Sequence, residues 1–293
     1  MKTAPLLILS LCLSIAVAGG DRAAADEKSG KSNEYYYILN YRLADADASI
    51  ELNGVPLVRS QKKYNNSATG FSDIGMWVMP GSNRVAITVR SMDKGKNPGV
   101  EFSISIARKG QMSNEGEKII DFVLPEKGDN GDAALAKLKF PLKKEIDFTP
   151  DYPPPSELWS RAKAAPLNAD ARKKITKLVK DLHQAMINKD AGRVYELFKF
   201  KEADVSRLRY DAADDSGAKF KEQIKSLLKM EGLKMEPLKA EKMAFRALAG
   251  GKIVWVTDGA SRSPVRSRES KELGTLEFPI YASFIDGAWV LSR

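Results

Sequence analysis

One short run, Thr149-Pro150-Asp151-Tyr152-Pro153-Pro154-Pro155, decides how this 293-residue chain divides. Proline fixes φ and carries no backbone N–H, so the run neither continues a helix nor donates regularly to a sheet. It reads as an extended spacer. A short helical patch from Ser156 to Ala164 follows, and Pro166 closes it, which sets a linker over 147–166. The apolar period is two before this linker and three to four after it. The length suffices for two ordinary cores. The expected fold class is therefore an all-β sandwich over 34–146, followed by an α+β domain over 167–293 with helices packed on a curved antiparallel sheet.

Before the linker, Tyr35 to Tyr41 is a β-rich aromatic run, and Ala48-Ser49-Ile50-Glu51-Leu52 alternates up to the Asn53-Gly54 turn signal. Gly75 to Met79 is apolar, Pro80-Gly81-Ser82-Asn83 turns, and Val85, Ile87 and Val89 alternate. Phe102, Ile104 and Ile106 repeat the period, while Ile119–Leu124 and Ala136–Leu142 supply further strands. Short strands and regular turns point to a sandwich of about seven or eight strands. The stretch Ile50 to Gly54, with Trp77 to Ile87, resembles the jelly-roll modules that accompany many bacterial surface and sugar-active proteins. The likeness covers about forty residues and implies a fold only, since Gly and Asn make a turn whatever the function.

Beyond Pro166, Asn168 or Asp170 caps a helix whose Ile175, Leu178, Val179, Leu182 and Met186 share one face. Gly192–Phe200 and Ala203–Tyr210 read as shorter helices and Gly217–Met230 as a longer one. Strands follow over Met235–Ala249, Lys252–Asp258, Gly274–Ile285 and Ala288–Ser292, with tight turns at Gly250-Gly251 and Asp286-Gly287. Helices leading into a sheet that ends in Tyr281 to Leu291 resemble the nuclear transport factor 2-like (cystatin-like) α+β cone. The resemblance spans about Asp170 to Arg293 and lacks a short strand between the second and third helices. It implies an interior that active members line with His, Asp or Tyr. No motif around His183 carries such a role over.

The start of the chain predicts export. Lys2, the apolar run Leu6–Val17 and Ala16-Val17-Ala18 match a signal peptide over 1–18, too short to anchor in a bilayer. A second cut could follow Ala25, and 19–33 reads as a flexible leader. Cys12, the only cysteine, falls within the removed run, and Leu11 before it is too large for a lipoprotein site. The mature chain would be periplasmic, cysteine-free and without a transmembrane segment.

The formal net charge is +9, and from Pro166 onward there are 25 Lys and Arg against 18 Asp and Glu. The excess thus belongs to the second domain. Part of it is gathered at Arg262, Arg266 and Arg268 with Lys271, on an expected hairpin tip suited to carboxylates or phosphates. A solvated loop, an acidic protein partner in the cell envelope, and an anionic lipid or glycan all remain readings of it. Nucleic acid is not expected, because no stacking aromatics interleave the basic residues. His183, Tyr195, Trp255 and Tyr281 would line a small-molecule pocket if the interior were open. Trp77 and Tyr36 are candidate glycan platforms, although an apolar strand more often buries its Trp. Asp211, Asp214 and Asp215 lack calcium-loop spacing. With no phosphate loop, nucleophile elbow or zinc motif in the sequence, no cofactor, metal or catalytic residue is assigned, and a binding protein is favoured over an enzyme. An immunity or inhibitor protein is one concrete form.

Overall fold

The computed structural model describes residues 34–60, 67–92, 99–113, 115–125, 138–211, 216–270 and 274–293. The expected signal peptide and leader, with Cys12, Asp214, Asp215 and Lys271, lie outside them. The chain divides into two compact units between Pro155 and Ser156.

In the first unit, β4 (Ala68–Asp73), β1 (Tyr35–Ala44), β6 (Gly99–Arg108) and β7 (Glu117–Leu124) form one antiparallel sheet in that order. A second sheet runs β3 (Val55–Arg59), β2 (Ala46–Leu52), β5 (Asn83–Met92), β8 (Leu142–Phe148). Alternation turns Tyr37, Leu39 and Leu43 of β1, Ile104 of β6, and Ile50, Val85 and Ile87 of the second sheet into one shared core. Two sequence expectations change here. Gly75–Trp77 is a 3-10 turn rather than a strand, because the Asp73 carboxylate accepts the Gly75 N–H at 2.8 Å and tightens the chain. The last strand is Leu142–Phe148, so it extends into the expected linker, while residues 136 and 137 lie outside the described set.

Asn83 holds the turn that follows. Its side chain is 1% exposed, accepts from Met79 N at 2.7 Å and from Asn53 Nδ2 at 2.8 Å, and donates to the Met79 and Gly81 carbonyls. A buried amide with all these partners fixes the register of β5.

The second unit opens with α1 (Glu157–Arg161) and β9 (Ala162–Lys163), then α2 (Ala169–Ile187), α3 (Ala191–Leu208) and α4 (Ser216–Lys229). Asn168 caps α2 by accepting the Ala171 N–H at 2.9 Å. Helix α3 is continuous where two pieces were expected, since nothing between Phe200 and Ala203 breaks a helix. The antiparallel sheet runs β10 (Ala244–Leu248), β11 (Ile253–Thr257), β12 (Ile280–Ile285), β13 (Ala288–Leu291), with β9 also paired to β12. Residues 235–243 are mostly irregular, so β10 is shorter than the sequence implied. Asp286 and Gly287, at φ 49° and 84°, make the tight turn before β13. Ile175, Val179 and Leu182 of α2, Val194 and Phe198 of α3, and Ile224 of α4 pack with Val254, Val256, Ile280 and Ala282 of the sheet. Helices therefore cover one face of an antiparallel sheet.

Candidate functional site

The arginine segment is woven into the fold rather than projecting as a loop. Backbone bonds join Phe278 N to Val265 O, Ser267 N to Leu276 O and Glu236 N to Arg266 O, and Val265 is 0% exposed. Ser263 donates to the Phe278 carbonyl, and its own N–H reaches Glu277 at 3.0 Å.

Arg266 is the centre of a buried clasp. Its side chain is 12% exposed, and its guanidinium bonds Glu236 Oε2 through Nε and Asp258 Oδ2 through Nη1, both at 2.8 Å. Nη1 also meets the Ser263 carbonyl at 2.8 Å. Burial raises the Asp258 carboxyl, but the Ala260 N–H, Arg266 and the Arg262 N–H outweigh it and hold the group below its ordinary value. Arg266 is pulled the opposite way by the same balance: desolvation disfavours its charge, and Glu236 and Asp258 more than restore it. A guanidinium committed to two carboxylates has no free fork for an outside anion. Arg262 is more exposed but also bonds Asp258, at 3.1 Å. Of the expected trio, Arg268 alone presents an exposed side chain with no ion pair among the described residues.

The four expected pocket residues do not converge. His183 is 8% exposed, and its Nε2 stands 2.7 Å from the Glu236 carbonyl oxygen. A carbonyl only accepts, so Nε2 donates, and His183 braces the irregular segment that supplies Glu236 to the arginine clasp. Tyr195 packs on Phe220, with the Lys221 ammonium 4.9 Å from its ring. Trp255 and Tyr281 are register partners whose rings stack at 6.3 Å. Strand alternation puts them on the sheet face opposite Val254 and Val256, which pack under the helices. Burial pushes the Tyr281 phenol up. Between helices and sheet, aliphatic side chains pack with Phe198, Phe220 and Phe278.

Trp77 is half-buried and packs on the first core. Tyr36 is half-buried as well. Among the described residues of that unit, Phe71 on β4 and Tyr152 are exposed aromatics, at 70% and 45%.

Two features escaped the sequence reading. The outward side of α2 carries exposed Lys173, Lys177 and Lys180 at i, i+4 and i+7, opposite the stripe of Ile175, Val179 and Leu182. Asp181 pairs with Lys177 and Asp170 with Lys174, both at 2.8 Å, whereas Lys173 and Lys180 make no ion pair among the described residues. The signal was the spacing of the lysines at helical intervals. The second feature is a pocket between α3 and α4 lined by Glu202, Val205, Phe220, Ile224, Leu227 and Met230, among others.

No protein-family model, no curated protein and no solved structure matches this chain.

Proposed function

We propose that this chain is an exported binding protein that docks on an acidic protein surface in the cell envelope through the outward face of α2. An immunity or inhibitor protein directed at an envelope-acting toxin or hydrolase is its concrete form. The observation that carries the reading is the charge layout of α2. One side of the helix is buried in the core, and the other holds Lys173, Lys177 and Lys180 in a row about 10 Å long. Lys173 and Lys180 make no ion pair among the described residues, because Asp170 and Asp181 beside them are engaged by Lys174 and Lys177. Arg268 adds a further exposed cation, while Arg266 is withdrawn from the surface. A two-domain layout with a jelly-roll sandwich and a basic α+β cone accords with this role but does not define it.

The test is site-specific photocrosslinking in cells of the native host. A photoreactive amino acid replaces Lys173 or Lys180, or exposed Lys143 on β8 as control. A single acidic protein captured from the α2 positions, and lost when the other lysine becomes Glu, supports the reading. Capture equally strong from position 143, or none from α2, refutes it.

A further inference from the structure

The pocket between α3 and α4 measures about 370 Å³ and is mostly apolar. Its volume falls within the ~300–1,000 Å³ of small-molecule sites. Val205 of α3 and Phe220, Ile224 and Leu227 of α4 form its walls, and Met230 just beyond α4 is 44% exposed at its edge. An apolar surface of this kind between two helices costs free energy while it faces water.

Glu202 is the chemical exception. It lies half-buried in the pocket lining, and among the described residues nothing donates to its carboxylate. Desolvation raises its carboxyl above the ordinary value, against the opposing pull of Lys201 and Arg209. Neither neutralises it by contact. The Lys201 ammonium lies 5.0 Å from the Phe198 ring centroid, and Arg209, also on the lining, sits exposed with contacts of its own. Glu222, also on the lining, is paired with Lys225 at 3.3 Å. An acid without a partner beside apolar walls lowers its free energy by gaining a cation that brings its own apolar body.

We propose that the pocket between α3 and α4 binds a small amphipathic amine, its aliphatic or aromatic body held by Phe220, Ile224, Leu227 and Met230 and its ammonium on the Glu202 carboxylate. The charge on Glu202 sets the sign of the ligand: an anion of the same shape meets repulsion where an amine meets a salt bridge. This site shares no residue with the lysine face of α2, so either reading can fail without the other.

Titration calorimetry of the full chain with n-octylamine, 1-octanol and octanoate tests the proposal. Octylamine should bind saturably at one site and more tightly than octanoate. Glu202→Gln should weaken octylamine by roughly tenfold or more while leaving octanol unchanged. Ser226→Trp, on the exposed part of the lining, should fill the pocket and abolish binding without touching the core. Octanoate binding tighter than octylamine, or octylamine affinity unchanged in Glu202→Gln or in Ser226→Trp, would overturn the proposal.

Discussion

Asp204 carries the heaviest single electrostatic burden in the second unit, and its replacement gives a quantitative test of how that unit is held. Its side chain is 1% exposed, and its Oδ2 stands 2.7 Å from Nη1 of Arg293, also 1% exposed at the side chain. Ser156 closes the triangle, donating to Asp204 at 2.6 Å and accepting from Arg293 Nη2 at 2.9 Å. Oδ1 accepts the backbone N–H groups of Glu157 at 2.5 Å and Leu158 at 3.3 Å, which are the first amides of α1. Ser156 occupies the cap position of α1 but makes no capping bond itself, so a carboxylate from α3 does that work. Asp204→Ala therefore leaves a buried guanidinium without its counter-ion, and such a loss costs about 3–5 kcal/mol. With a urea slope of about 2 kcal/mol/M for a unit of this size, the midpoint should fall by about 2 M. Asp204→Leu with Arg293→Met removes both charges and leaves only the unmatched Ser156 and α1 groups, at about 1–3 kcal/mol. Tryptophan fluorescence follows the transition, because Trp159, Trp255 and Trp289 all lie in this unit. A single-variant cost within about 0.5 kcal/mol of zero would refute the reasoning. So would a double variant equal to the sum of the two singles, since coupled groups are not additive.

Arg266→Ala should destabilise the second unit by about 2–4 kcal/mol by stranding Asp258 and Glu236, whereas Arg268→Ala should change it by less than about 0.5 kcal/mol; urea midpoints of the two variants decide. Asn83→Ala leaves Met79 N, Met79 O and Gly81 O without their partner and should cost the first unit about 2–4 kcal/mol, read by hydrogen exchange in β2 and β5. For Glu202 the folded carboxyl is raised above its ordinary 4.5. The folded state then holds the proton more tightly than the unfolded one, so this group's contribution to stability is fully present below 4.5 and is lost as pH rises through the raised value. Glu202→Gln should accordingly melt higher than the parent chain at pH 7, and the gap should close on acidification.

Much of the architecture was legible because local period and tertiary burial agree. Val85, Ile87 and Val89 alternate in the sequence and alternate in the core, and Ile175, Val179 and Leu182 fall on one helical face and are buried there. The Asp286-Gly287 turn was legible for a local reason too, since its positive φ values suit those residues. Misreadings arose where distant groups decide the outcome. Gly75–Trp77 is as apolar as a strand, but Asp73 and the following turn bend it. The expected break between Phe200 and Ala203 is instead continuous α3, with Asp204 drawn inward by Arg293 from the far end of the sequence. No window on either segment contains the other.

The same distinction separates the two basic features. The arginines at 262, 266 and 268 fall within seven residues of one another, and that clustering suggested a surface for an acidic partner. Clustering, however, is blind to direction. Pro264 and Val265 are drawn into the fold, and the alternation this imposes turns Arg266 toward Asp258 and Glu236, acids that lie 8 and 30 residues away. Its charge is spent on holding three segments of the unit together. Lys173, Lys177 and Lys180 of α2 fall at helical intervals on the side that the core leaves free. A helix with one buried face must direct its other residues outward, so its lysines reach solvent as a consequence of the packing. Where charge is concentrated in the sequence and where it is available at the surface are thus set by different parts of the fold, and only the second bears on a partner.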